Sequence, residues 1–181
     1  GIQEEVSQGA GRIAGYLGLE NLIMFYDSND IQLSTKTDAV TTEDTAKKYE
    51  AWGWNVISIQ GNDPDQIRGA LKNAQTETER PTLIIGKTIM GKGAVTELGE
   101  NFESQTSTHG MPLGEAGASF AKSVANLGGN PENPFVIFDD VQTVYEKRKK
   151  ELIEAANAKK EAQAKWEAAY PKLASKWKQF F

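Results

Sequence analysis

The sequence predicts an α/β fold: a doubly wound, mainly parallel sheet with helices on both faces, followed by a C-terminal helical extension. Three observations carry this expectation. Between Asn21 and Ile89, apolar runs alternate with amphipathic stretches in the order strand, helix, strand, helix, strand, the pattern of a parallel sheet with crossover helices. The first run, NLIMFY at 21–26, is almost continuously apolar, as a strand covered on both faces requires. Beyond Asp139 the chain turns to Lys- and Glu-rich helical periodicity, which has no place inside a sheet.

Each element has a local reason. Gln3–Leu17 places Val6, Ala10, Ile13, Ala14 and Leu17 near helical spacing, while Gly9, Gly11 and Gly15 lower its propensity and permit close packing. Thr42–Trp52 reads as a helix capped by Thr41 or Thr42, with acids in its first turn and Gly53 as its stop. WNVISI at 54–59 is a strand. Asp63 caps a helix with Pro64 at its first position, running to about Thr76. PTLIIGKTI at 81–89 is the third strand. The stretch 91–112 is rich in Gly, Ser and Thr without a period, and a loop of that length in a compact domain is usually functional or mobile. A small-residue helix over Gly114–Leu127 follows, then the linker GGNPENP and a short extended piece at Phe135–Phe138. Asp139–Ala168 is helical with a narrow apolar stripe at Val141, Val144, Tyr145, Leu152 and Ile153, and Pro171 restarts a last helix carrying Leu173, Trp177 and Phe180. The expected organisation is an α/β domain over 1–138 and a helical extension over 139–181.

Composition narrows the chemistry. The 181 residues contain no cysteine and one histidine, His109, so thiolate nucleophiles, disulfides and multi-histidine metal centres are excluded within this sequence. No apolar run approaches the length of a membrane span. The net charge of −5 is uneven: from Val141 on, ten basic residues meet five acidic ones, so that stretch carries +5 and residues 1–140 carry −10. An acidic body is a poor match for nucleic acid, and the interleaved Lys and Glu of the tail read as a solvated helix face. The chain opens on GIQEEVSQ, already a helix start, and three strands leave a sheet edge bare. Both features lead us to expect a piece of a larger fold.

The chemistry-bearing segment is YDSNDI at 26–31, directly after the first strand. In an open parallel sheet, ligands bind at the carboxyl ends of strands. An Asn side-chain oxygen beside a backbone carbonyl is a hard donor set suited to Mg²⁺, which takes few protein ligands together with phosphate oxygens. A polar turn leaving the strand explains the same residues by turn geometry alone.

The block GIQEEVSQGAGRIAGYLGLENLIMFYDSNDIQLS resembles the thiamine diphosphate motif of transketolases, which opens with Gly-Asp-Gly and closes on Asp-x-Asn-x-Ile after an apolar strand. TEDTAKKYEAWGWNV, PTLIIGKTIMGKG, THGMPLG and FDDVQTVYEKRKKE resemble the family's later segments in the same order. The resemblance therefore covers essentially the whole chain. It implies a thiamine diphosphate-binding fold, here incomplete, with thiamine diphosphate and Mg²⁺ as cofactors and Ca²⁺ or Mn²⁺ as substitutes. It implies that Asn29 and the carbonyl of Ile31 are metal ligands, and that Glu4, Asn29, Ile31, Leu33, Met90 and Gly91 lie against the cofactor. The single His109 falls on the family histidine near the reacting carbon, where neutral imidazole can donate and accept protons. The Asp of Gly-Asp-Gly would precede Gly1. Gly9 stands where transketolases often carry a second glutamate, and the segment 94–108 lacks the extra histidines of many members.

On this resemblance the expected function is ketol transfer: a two-carbon unit passes from a ketose phosphate to an aldose phosphate in the full-length, cytoplasmic, homodimeric enzyme. The remainder of the chain supplies a pyrimidine-binding domain, sugar phosphates are the substrates, neither nucleic acid nor membrane is a partner, and this segment alone is inactive. Two alternatives stay open: another thiamine diphosphate enzyme of similar layout, such as a deoxyxylulose phosphate synthase, and a non-catalytic split subunit or assembly module.

Overall fold

A computed structural model describes residues 1–180, which fall into two compact units, Gly1–Glu132 and a second from Asn133 onward. In the first unit, α1 (Glu5–Leu17), β1 (Ile23–Ser28), α2 (Thr45–Ala51), β2 (Asn55–Gln60), α3 (Pro64–Ala74) and β3 (Thr82–Lys87) follow one another as the hydrophobic pattern predicts. The three strands are parallel in the order β1-β3-β2, with Ile23 and Asn55 both level with Thr82.

The central strand explains the two-sided core. Successive side chains of a strand point to opposite faces, and the consecutive residues Leu83 and Ile84 of β3 are both fully buried. Leu83 joins Ala14, Tyr49 and Trp54 from the α1 and α2 side, while Ile84 joins Ala70 and Ala74 of α3. Helices thus cover both faces, and β1 and β2 each keep one unpaired edge among the described residues.

The glycines of α1 do unequal work. A Cβ on Gly15 would stand 1.8 Å from the carbonyl oxygen of Trp52, so this position must be bare for α1 to lie on the end of α2. Gly9 faces open space and contributes nothing to that contact. The Trp54 indole N–H reaches across to the Gly11 carbonyl at 2.8 Å, satisfying a buried donor. Gly18, in the left-handed conformation, ends α1: its N–H donates to Gly15 at 3.1 Å and that of Leu19 donates to Ala14 at 3.2 Å.

Three local expectations change. The cap of α2 is Asp44, which accepts the Lys47 N–H at 3.1 Å, whereas Thr41 accepts the Glu43 N–H at 3.2 Å in the turn before it. The helix expected over 114–127 is two: α4 (Leu113–Ala116) and α5 (Phe120–Asn126). Gly117 turns left-handed between them, and the hydroxyl of buried Ser119 caps α5. The loop 91–112 is anchored rather than loose. Val95 donates to the Ser123 hydroxyl at 3.1 Å and accepts from the Ser119 N–H at 2.8 Å, and Asn126 donates to the Gly93 carbonyl at 3.0 Å.

The second unit is helical: α6 (Asp139–Ala169), a break at Tyr170, then α7 (Pro171–Lys178). Of the expected extended piece at Phe135–Phe138, Phe135 lies in a turn and Phe138, the residue capping α6, is extended, and none of it forms a strand. No residue of α6 is buried. The two helices are tied by an ion pair between Lys178 and Glu167 at 2.8 Å.

Candidate functional site

The site lies where an open parallel sheet places one, beyond the carboxyl end of a strand. β1 ends at Ser28, and the chain turns through Asn29, Asp30 and Ile31. Asp30 adopts φ +63°, a left-handed conformation that Asp tolerates better than most residues. Its carbonyl accepts the Thr37 N–H at 2.9 Å, and Ile31 pairs with Lys36 in an isolated bridge that folds 30–37 back on itself. The Asn29 side-chain oxygen accepts the Ile31 N–H at 2.9 Å. An amide oxygen has two lone pairs, so one stays free.

This turn lines a cavity of about 390 Å³ together with Gly1, Ile2 and Gln3 ahead of α1, Ser7 in its first turn, and His109. Asn29, Ile31 and His109, which lie eighty residues apart in sequence at the extremes, therefore converge on one space. His109 closes a short 3₁₀ turn at Thr106–Thr108. Its Nδ1 is shielded from water and has no hydrogen-bond partner among the described residues. A buried polar atom left unpaired costs about 1–3 kcal/mol. The hydroxyl of Tyr49, which lines the same cavity, is in the same condition, and burial pushes its pKa up. Nothing in KKYEAW marks that tyrosine as other than helix core.

The remaining sequence-derived site residues stand elsewhere. Glu4 sits exposed at the N-cap of α1, without a side-chain cap bond, next to the lining residues Ile2 and Gln3. Leu33 is 76% exposed and is not among the residues lining the cavity. Met90 is half-buried, and its carbonyl accepts the Ser104 N–H at 2.8 Å. Gly91 takes φ +62°, and a Cβ there would meet Thr108 only at 3.6 Å, so conformation rather than space demands glycine. That contact sets the turn after β3 directly against the residue preceding His109.

The donor set suits a cation shared with phosphate. Among the described residues no group of three or more His, Cys, Asp or Glu could enclose a metal alone, while Asn29 and Ile31 offer neutral hard oxygens, and the carboxylates of Asp27 and Asp30 are engaged by Thr88 and Lys87. Mg²⁺ uses such sparse protein ligation when phosphate oxygens complete its octahedron.

A family model described as transketolase, thiamine diphosphate binding domain, matches residues 1–181. This chain belongs to that transketolase family. It is 37% identical over 177 residues to Transketolase 1 of Pasteurella multocida, covering 97% of this chain and 25% of that protein. It is 36% identical to the transketolase of Streptococcus pyogenes, over 99% of this chain and 24% of that one. The structure of the transketolase from Leishmania mexicana superposes with a TM-score of 0.80 at 32% identity over 94% of this chain and 24% of that chain. A Pichia stipitis transketolase in complex with sedoheptulose 7-phosphate gives a TM-score of 0.81 at 29% identity over 95% of this chain and 25% of that one. The chain thus spans about a quarter of the length of the transketolases it matches. The parallel sheet with helices on both faces is the transketolase arrangement, and thiamine diphosphate is the cofactor of the matched domain. No helix among the described residues is long and apolar enough to cross a membrane.

Proposed function

We propose that this chain holds the diphosphate and Mg²⁺ end of thiamine diphosphate in a transketolase that transfers a two-carbon ketol unit from a ketose phosphate to an aldose phosphate. The observation that carries the reading is the convergence of Asn29, Ile31 and His109 on one cavity at the end of β1. The Asn29 side-chain oxygen and the Ile31 carbonyl hold the metal. The residues that open α1 line the diphosphate, where the partial positive charge of a thirteen-residue helix favours an anion. Bound thiamine diphosphate supplies the carbanion-stabilising chemistry. His109 orients a substrate hydroxyl and moves its proton, as an imidazole that can both donate and accept a hydrogen bond is able to do. Leu33, Met90 and Gly91 are proposed to exclude water from the far end of the cofactor, and Glu4 to join a carboxylate network toward a second subunit. The working enzyme is a cytoplasmic homodimer whose pyrimidine-binding domain completes the site, so this segment alone should not turn over sugar phosphates.

Calorimetric titration of thiamine diphosphate into the chain, with and without Mg²⁺, tests the reading. We expect Mg²⁺-dependent binding that Asn29→Ala abolishes and that His109→Ala leaves within about threefold, since His109 serves the substrate. Binding that ignores Mg²⁺, or survives Asn29→Ala unchanged, overturns the metal assignment. Ketol transfer by the isolated chain would overturn the claim that it is inactive.

A further inference from the structure

The turn that carries Asn29 and Ile31 is fastened from the neighbouring strand by side chains no part of the reading above uses. The β1–β3 ladder runs out at Ser28 and Lys87, with the Thr88 N–H still donating to the Ser28 carbonyl at 3.2 Å. At this end of the ladder two side chains add to the backbone pairing. The Thr88 hydroxyl donates to the Asp27 carboxylate, and the Lys87 ammonium pairs with the Asp30 carboxylate. The ties fall two residues before and one residue after Asn29, bracketing it. Lys87 and Thr88 also line a second cavity, of about 630 Å³, whose wall on the other side is Asn29, Asp30 and Ile31. One more tie extends the pattern: the Asn62 side chain, past β2, accepts the Ile89 N–H at 3.0 Å, joining β2 to the segment that leads to Met90.

We propose that Thr88 and, more weakly, Lys87 are positioning residues that fix where the Asn29 side-chain oxygen and the Ile31 carbonyl point. The other bonds of the turn, from the Ile31 N–H to Asn29, from the Thr37 N–H to Asp30 and in the Ile31–Lys36 bridge, close it on itself and do not tie it to the sheet. Ile31 is the only buried residue of the turn, and Asp30 holds a backbone conformation that a free chain rarely visits. The ranking follows from the chemistry. Thr88 makes a charge-assisted bond to the exposed Asp27 carboxylate through a short arm that loses little side-chain entropy, unlike the long lysine. Lys87 and Asp30 are half exposed, with side-chain exposures of 50% and 58%, and a pair so open to water and salt contributes little. This inference rests on the functional reading for its meaning, because only a site that needs two oxygens at fixed separation gains from such fastening.

Amide hydrogen exchange on the chain without cofactor tests the fastening by itself. Thr88→Val keeps the shape and removes the donor. It should speed exchange of the Ile31 and Thr37 amides by about tenfold, the loss of one bond to a charged acceptor, while amides of α3 stay unchanged. Thr88→Ser should restore protection, and Lys87→Met should cost only about twofold. Unchanged Ile31 exchange in Thr88→Val overturns the proposal whether or not the chain binds cofactor. Should Thr88→Val fold poorly, Asp27→Asn keeps an acceptor without its charge and is expected to give a smaller loss at the same amides; no loss there likewise overturns it. Mg²⁺ titrated at fixed thiamine diphosphate separates the two claims. No binding by the parent chain removes the functional reading and leaves the exchange result standing. Binding with the same Mg²⁺ midpoint in Thr88→Val shows that the fastening does not set the metal site and overturns the positioning role.

Discussion

The two units of this chain are built on different physics. In the first, Leu83, Ile84 and Tyr49 are wholly removed from water, and the site residues hang from a sheet with helices on both faces. In the second, α6 runs for thirty-one residues without burying one of them, and the stripe Val144, Tyr145, Leu152 and Ile153 stays 51–71% exposed. The first unit is held by tertiary packing. α6 is held by propensity and by local pairs such as Arg148 to Glu151 at 2.8 Å, Gln142 to Glu146 at 2.8 Å and Gln163 to Glu167 at 2.9 Å, each worth only about 0.2–0.5 kcal/mol. A site that must hold oxygens in place belongs on the first kind of scaffold, and that is where the cavity with Asn29 and His109 lies.

The contrast predicts where substitutions hurt. Leu83→Ala should cost the first unit about 2–5 kcal/mol, because the central strand cannot collapse into the space left between two helices and a sheet. Denaturant unfolding followed by the near-ultraviolet signal of Trp52 and Trp54 measures it, and a loss under about 1 kcal/mol would contradict the two-sided core. Gly15→Ala comes next. Its Cβ would overlap the Trp52 carbonyl, so α1 must move off α2 at a cost of about 1–3 kcal/mol. Gly9→Ala, one helix face away in open space, should instead stabilise by a few tenths to about 1 kcal/mol. The pair of glycines is the sharper test, since propensity alone predicts the same sign for both. Val144→Ala in α6 should shift stability by less than about 0.5 kcal/mol, as for any exposed position; a large loss would mean that the stripe is covered in solution.

What the sequence made legible divides along the same line. Asp63-Pro64 announces its helix because cap and first residue are neighbours, and the Asp63 carboxylate does accept the N–H groups of Asp65 and Gln66 at 2.9 and 3.2 Å. The break between α4 and α5 was not legible, because what enforces it is Val95, bonded to Ser119 and Ser123 from more than twenty residues away. The same holds at the site. Asn29, Ile31 and His109 stood out through the resemblance of ordered blocks, yet no local pattern shows that the turn after β1 and the loop before His109 share a cavity. The Thr88 to Asp27 tie spans sixty-one residues, and PTLIIGKT read alone shows only a strand ending in polar residues. Glu4 and Leu33 were assigned by position in the same blocks, and here both face solvent, so burial had no part in finding them.

The smallest effect separates the units by the origin of their electrostatics. Asp63 and Glu167 both have carboxyls held below their ordinary range, Asp63 first by the Gln66 backbone N–H and Glu167 first by the Lys178 ammonium. A depressed folded value means that each carboxylate adds stability above its unfolded pKa, about 4, and loses it as pH falls from there through the folded value. Acid should therefore weaken the start of α3 and the α6–α7 junction alike. Salt should not. The ion pair of Glu167 is open to solvent on the lysine side, at 61% exposure, and a 1 M electrolyte screens charges beyond about 3 Å, so the carboxyl of Glu167 should titrate closer to normal there. Asp63 is held by fixed backbone donors at hydrogen-bond contact, which screening scarcely reaches, and should keep its depressed value. Carboxyl titration by carbon NMR at low and high salt reads both groups in one sample. Equal salt sensitivity would mean that Asp63 feels a general field rather than its cap bonds, and the contrast between packed and locally paired units would then fail for these two carboxylates.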